Sequence, residues 1–250
     1  MVIVKRCFNI IRRHKRRIIL VKMSLYFLKI VESVKATHSI EVGAFSAEFS
    51  KSVLKIYKYI YAFEANPYVF EKYKPTMPEQ INYANLAISD KNEKINFYFK
   101  NYEKSIVGQS NSILEVVKNK YLPRSISVDS ASLDSLFPDK PKNVIWIDVE
   151  GANREVLLGS INLLENTKAL FIEVEHKEIW GSQWTSNDVY KFLLAKGFSL
   201  ISINIQDSHQ SNSIYLKNDE LSTLQFLVCK PISYLKMRIY DTLSLNYSRI

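Results

Sequence analysis

From His38 onward, short apolar runs alternate with longer stretches of helical periodicity, the pattern of strands covered on both faces. Strands are predicted at about Ser39–Val42, Tyr59–Glu64, Asn82–Ala87, Val144–Val149, Ala169–Glu173 and Leu200–Ile203, with a last one near Leu224–Cys229. Helices are predicted between them at Ala47–Lys55, Pro67–Tyr73, Arg154–Leu164 and Ser186–Lys196. Ser186 reads as the N-cap of the last of these, with Asp188 in its first turn and Gly197 just past its end. Strand alternating with helix predicts an α/β domain on a parallel sheet with helices on both faces. Residues 91–137 break the rhythm: "KINFYFK" reads as a strand, "KSIVGQSNS" as a polar loop and "SLDSLF" as a short helical turn. An insertion of that length is expected to cover a functional site.

Charge divides the chain. Residues 1–35 hold ten Lys/Arg and one Glu, and the remaining 24 basic and 24 acidic residues cancel. This gives a basic arm over 1–36, a domain over 37–231 and a Tyr-rich tail over 232–250. Arg12 to Arg17 interrupt the arm's apolar runs, so it falls short of the roughly 20 apolar residues of a membrane span. Two readings stay open: the arm lies on an anionic bilayer, or it packs its apolar side on the domain. Two cysteines, Cys7 and Cys229, cannot build a disulfide framework, and the default is a reducing, cytoplasmic setting, with the inner membrane face as the arm's partner in the first reading. Four scattered histidines without an HExxH pattern argue against a His-based metal site.

Acidic residues recur at the carboxyl ends of the strands. In "HSIEVGAFSAEF" a strand ends at Glu41 and turns through Gly43, Ala44 and Phe45 into a helix. Gly43 permits a sharp turn and close approach of a ligand to the backbone. In "YIYAFEANP" the next strand ends at Glu64, followed by Ala65 and Asn66, with Pro67 opening a helix. A carboxylate there accepts hydrogen bonds from ribose hydroxyls in nucleotide-binding folds. The absence of Gly-x-Gly-x-x-Gly disfavours a dinucleotide, whose pyrophosphate needs that backbone approach. In "NYANLAISD" Ala87, Ser89 and Asp90 stand where the third strand meets an adenine edge, although Asp90 also suits a plain turn.

The fourth stretch, "NVIWIDVEGANREVLLGS", ends an apolar run in Asp148 and Glu150 before Gly151. Together with "LDSL", "LFIEVE" and "FLLAKGF" it resembles the FkbM-type methyltransferase family through Leu133, Asp134, Asp148, Glu150, Gly151, Ala152, Val156, Leu157 and Gly159. The first motif also resembles the first cofactor turn of S-adenosylmethionine-dependent methyltransferases, with Ala47 where a second glycine often sits. Asn153 and Trp146 depart from the family, where Glu and Lys are usual.

The resemblance implies a Rossmann-like seven-stranded methyltransferase sheet, mostly parallel with an antiparallel final strand. It implies S-adenosylmethionine as cofactor and a hydroxyl of a sugar, glycan or related small molecule as acceptor. An alcohol acceptor must lose a proton, so a base is needed within hydrogen-bond reach. Asp148 is the first candidate, with Glu150, Glu173 and His176 as runners-up and Glu175 on the same rim; Glu150 equally suits the start of the following helix, and His176 an exposed loop. A divalent ion held by Asp148, Glu173 and Glu175 is a further alternative. Trp180 and Trp184 are candidates for stacking on a sugar or for closing a lid over the site. Two other function classes remain: a non-catalytic module that keeps the fold, and a nucleic-acid methyltransferase. The second lacks the Asn/Asp-Pro-Pro-aromatic stretch of amino-methylating enzymes after the fourth strand, so no nucleic-acid partner is expected.

Overall fold

The computed structural model describes residues 24–99, 111–115, 124–206 and 208–221 of the chain. Seven strands form the main sheet: β1 (His38–Val42), β2 (Tyr59–Glu64), β3 (Ile81–Asn85), β8 (Asn143–Ile147), β9 (Thr167–Glu175), β10 (Phe198–Ile205) and β11 (Gln210–Lys217). Their order is β10-β11-β9-β8-β1-β2-β3. β1 pairs in parallel with both β2 and β8, whereas β11 runs antiparallel to β9 and β10. A mostly parallel seven-stranded sheet with an antiparallel strand is the architecture expected from the sequence. That strand is Gln210–Lys217, which the periodicity did not reveal; the one predicted near Leu224–Cys229 lies outside the described residues.

Side-chain parity decides what each face buries. Ile40, Val42, Ile145, Ile147, Leu170 and Ile172 meet helices α4 (Leu133–Leu136), α5 (Asn153–Leu158) and α6 (Ser186–Ala195) on one face. Val144, Ala169, Phe171, Ile214 and Leu216 meet helix α1 (24–33) and α2 (Glu48–Ser52) on the other. Phe27 and Val31 of α1 are fully buried there. This part of the basic arm thus packs on the domain, and residues 1–23 lie outside the described residues, as does the tail from 222. No helix among the described residues is long and apolar enough to cross a membrane.

Helix ends follow local chemistry. α3 (Pro67–Tyr73) starts with Asn66 accepting from the Tyr68 amide and Pro67 at its first position. α6 is capped one residue earlier than expected, by Thr185 in a reciprocal pair with Asp188, and Gly197 at φ 80° follows its end. α5 stops at Leu158 rather than Leu164, because the chain turns at Gly159 into a separate turn at Leu163–Glu165. Asp134 fixes that turn, accepting from the amides of Asn162 and Leu163.

The insertion after β3 is more ordered than a loop. β4 (Ala87–Ile88), β5 (Lys94–Phe99), β6 (Asn111–Ser112) and β7 (Arg124–Ala131) form a second sheet in the order β4-β7-β5-β6. Phe97, Phe99 and Val128 close its small core against Ala87.

Candidate active site

In an open sheet, ligands collect where the strand order reverses, outside the carboxyl ends. Here that point lies between β1 and β8. A cavity of about 590 Å³ opens there, within the range of small-molecule sites. Its walls include the turn Gly43–Phe45, the ends of β2 and β8, and Phe97 with residues 111–113 of the insertion.

The β1 turn is tight. Gly43 has φ 77° and its amide donates to the Phe63 carbonyl at 3.0 Å. Ala47 stands at φ 56°, left-handed backbone that explains why glycine is common at its position. Ala47 offers no side-chain cap to α2. Glu41 does so across the turn, its carboxylate accepting from Ser50 N at 2.8 Å and Phe49 N at 3.4 Å. Glu64 likewise accepts from Phe45 N at 2.8 Å and Asn66 N at 2.7 Å, tying the β1 turn to the end of β2. Each Glu64 oxygen keeps a second lone pair for a ligand hydroxyl. Burial pushes both carboxyls up to about 7.

Register sets the next row. Trp146 on β8 pairs with Phe171 on β9, so Asp148 and Glu173 stand two residues on, on the same face. Their carboxyl groups are near enough that the charge of one acts directly on the other. Burial raises Asp148 to about 6, and burial with the charge of Asp148 raises Glu173 well above the usual carboxylate range. Gln206 Nε2 and Gln210 Nε2 each donate to Glu173 at 3.0 Å. Beneath this row Trp146 is stacked between Phe171, at 3.5 Å between ring centroids, and Phe49 at 5.1 Å. Asn153, the other departure from the family pattern, donates from Nδ2 to the Glu173 carbonyl at 2.8 Å.

Glu41, Gly43, Ala44, Phe45, Glu64, Ala65, Asn66, Ala87, Asp148 and Glu150 all line the cavity. The structure places the remaining candidates elsewhere. Ser89 and Asp90 do not line it: Ser89 donates through its amide to the Ala131 carbonyl, and its own carbonyl lies against Gly159. His176 lies off the cavity; its ring meets Ser186 Oγ at 3.0 Å and its amide donates to the His209 carbonyl. Trp180 is 1% exposed and packs on Gly151, while Trp184 packs on Phe192, and neither lines the cavity. No group of three or more His, Cys, Asp or Glu side chains among the described residues is arranged to hold a metal ion; Glu175 is instead bound by Gln183 Nε2 at 3.2 Å.

Sequence reasoning missed Gln206, Gln210 and Asn212, which come from the unforeseen end of the sheet, and the aromatic floor of Trp146 and Phe171. Six carboxylates line the cavity (Glu41, Glu48, Glu64, Asp148, Glu150 and Glu173), with no Lys, Arg or His among the described lining residues. That donor set fits a ligand carrying a sulfonium, an ammonium and ribose hydroxyls. Gly43 to Phe45, Glu64 to Asn66 and Leu86 to Ala87 would hold it.

Solved structures with a similar chain path include magnesium protoporphyrin IX methyltransferase from Synechocystis PCC 6803 with bound S-adenosylmethionine. It is 8% identical, with 81% of this chain and 79% of that chain covered, at a TM-score of 0.47. A Streptococcus pneumoniae protein described as a putative tRNA (m1A22) methyltransferase is 13% identical, with 79% and 75% covered, at a TM-score of 0.44. No curated relative matches the sequence. The model of the methyltransferase FkbM domain matches residues 41–200. That span holds the Gly43 turn, the Glu64 strand end and the Asp148–Gly151 stretch, and the chain therefore belongs to the FkbM methyltransferase family, whose cofactor is S-adenosylmethionine.

Proposed function

We propose that this methyltransferase acts on a hydroxyl oxygen of a sugar, a glycan or a related small molecule. The bound cofactor supplies an electrophilic methyl group. The protein's part is to align the acceptor oxygen with that carbon and to take the hydroxyl proton. The carboxyl pair of Asp148 and Glu173 at the β1/β8 switch point carries this reading. An ordinary exposed aspartate is a weak base; burial makes Asp148 a stronger one while leaving it mostly ionised at neutral pH. Burial and the neighbouring charge of Asp148 favour the neutral form of Glu173, which leaves Asp148 the member of the pair to act as base. With cofactor bound, Asp148 would take the acceptor's O–H proton as the oxygen gains the methyl group and the sulfonium, losing it, becomes a neutral thioether. Glu150 stands at φ 48° on the turn after β8 and contributes negative charge to the same wall.

The test is calorimetry with S-adenosylmethionine, followed by incubation of methyl glycosides with methyl-labelled cofactor and mass analysis of the product. Cofactor binding with label on a sugar oxygen supports the reading. Absence of cofactor binding at millimolar concentration, or label on nitrogen or carbon of a better acceptor, overturns it.

The arm adds an expectation about location. Residues 1–23 hold eight Lys/Arg and no acidic residue, which favours attachment to an anionic membrane surface.

A further inference from the structure

The wall on the β9 and β11 side has a chemistry of its own. Asn212 pairs in register with Glu173, which stands beside Asp148 on the same face, and all three line the cavity from the β8, β9 and β11 side. Asn212 lines the cavity, is 1% exposed, and its buried Nδ2 has no hydrogen-bond partner among the described residues. Leaving a buried amide donor unpaired costs about 1–3 kcal/mol. The torsion that turns the carboxamide is soft, so its NH₂ group can rotate toward the cavity. Beside it, Gln206 and Gln210 spend one donor each on Glu173.

Charge narrows what can sit there. Six acidic side chains and no Lys, Arg or His stand among the described lining residues, so none of these residues offers an ion-pair partner to a phosphate or carboxylate on the acceptor. An amine fares no better: carboxylates around it hold it as an ammonium, without the lone pair that attack requires. A neutral hydroxylated ring satisfies both conditions, its O–H groups donating to carboxylates and its oxygens accepting from a carboxamide.

We propose that the β9/β11 side of the cavity takes an uncharged, hydroxyl-rich acceptor, and that Asn212 reads it by donating to an acceptor oxygen other than the one being methylated. This rests on the methyl-transfer reading above. It adds a specificity-determining residue and a charge class.

The experiment follows the side-chain amide signals of Asn212 by nitrogen-15 NMR in the full chain loaded with S-adenosylhomocysteine. Asn212→Asp assigns the signals. The probes are the methyl α-glycosides of glucose, mannose and rhamnose, with glucose 6-phosphate and mannose 6-phosphate as charged counterparts. Neutral probes should move the Asn212 signals and the phosphosugars should not. Asn212→Leu should weaken the best neutral probe about tenfold with S-adenosylhomocysteine affinity unchanged. Should Asn212→Leu fail to fold, the wild-type titration decides alone. Asn212 signals unmoved by all three glycosides while S-adenosylhomocysteine is bound overturn this inference and leave the methyl-transfer reading standing. Phosphosugars that bind as tightly as the neutral probes overturn it too. Failure of S-adenosylhomocysteine to bind sinks the methyl-transfer reading, and this inference with it.

Discussion

Gly43 and Asp148 touch so closely that a methyl group on Gly43 would lie 1.8 Å from the Asp148 carbonyl oxygen. β1 and β8 can therefore bring their ends together only without a side chain at position 43. Gly43→Ala must either part the strands or unwind a turn held at φ 77°. We expect a loss of about 3 kcal/mol of stability and no measurable cofactor binding, read from thermal melts and calorimetry. Gly159→Ala is the matched control. Its added carbon would lie 2.1 Å from the Ser89 carbonyl, off the cavity wall, so stability should fall while the folded fraction still binds cofactor. Equal loss of binding in both variants would refute the distinction.

The buried acids make stability depend on pH in an unusual direction. Glu41 and Glu64 are held up to about 7 and Asp148 to about 6. The unfolded chain, with ordinary carboxyls, releases these protons near pH 4 to 4.5. From there to about pH 7 the folded chain binds more protons, so its stability falls as pH rises through that window. The melting temperature without cofactor should drop by several degrees between pH 5 and 8, at roughly 3 °C per kcal/mol for a chain of this size. A cationic ligand favours the ionised carboxylates, so S-adenosylmethionine should bind more tightly at pH 8 than at pH 6. A melting temperature that climbs across the window would contradict this account.

Asp148 and Glu173 should separate by role. Asp148→Asn keeps the shape of the wall but removes the base, and methyl transfer should fall by about 10² or more at near-unchanged cofactor affinity. Glu173→Gln should cost less and leave the pH profile of turnover nearly in place, because it replaces a carboxyl already held neutral with an uncharged group of the same shape. If Asp148→Asn transfers methyl at the normal rate, the base lies elsewhere.

The basic arm predicts salt-sensitive co-sedimentation of the full chain with anionic vesicles. Binding should be strong at low ionic strength and fade as the screening length drops below about 8 Å. Removal of residues 1–23 should abolish it and leave the helix over 24–33 to cover Phe49 and Phe171. Vesicle binding that survives that truncation would assign the surface to the domain instead.

The first half of the site could be read from the sequence because its residues follow apolar runs that can only be strands. Glu41, Glu64 and Asp148 each announce a strand end by interrupting such a run. β11 hid for the opposite reason. Its stretch Gln210-Ser211-Asn212-Ser213 is polar because it sits at the ligand end of the sheet, and only Ile214 to Leu216 reach the apolar layer. A strand whose first half serves a site looks like a loop. His176 and Trp180 misled for a related reason: type and position suggested chemistry, but orientation is set by packing against Ser186 and Gly151. Ser89 is held by the need of Gly159 for bare backbone, a constraint between segments 70 residues apart.

The insertion of β11 between β9 and β10 has a consequence for how such a protein diversifies. The family match spans residues 41–200, and Gln206, Gln210 and Asn212 all lie past its end. The turns proposed to hold the cofactor are thus written in one continuous stretch of chain, and three residues of the opposite wall in the segment that follows it. Exchange of that segment among relatives would change what is methylated without redesigning how the methyl group is delivered.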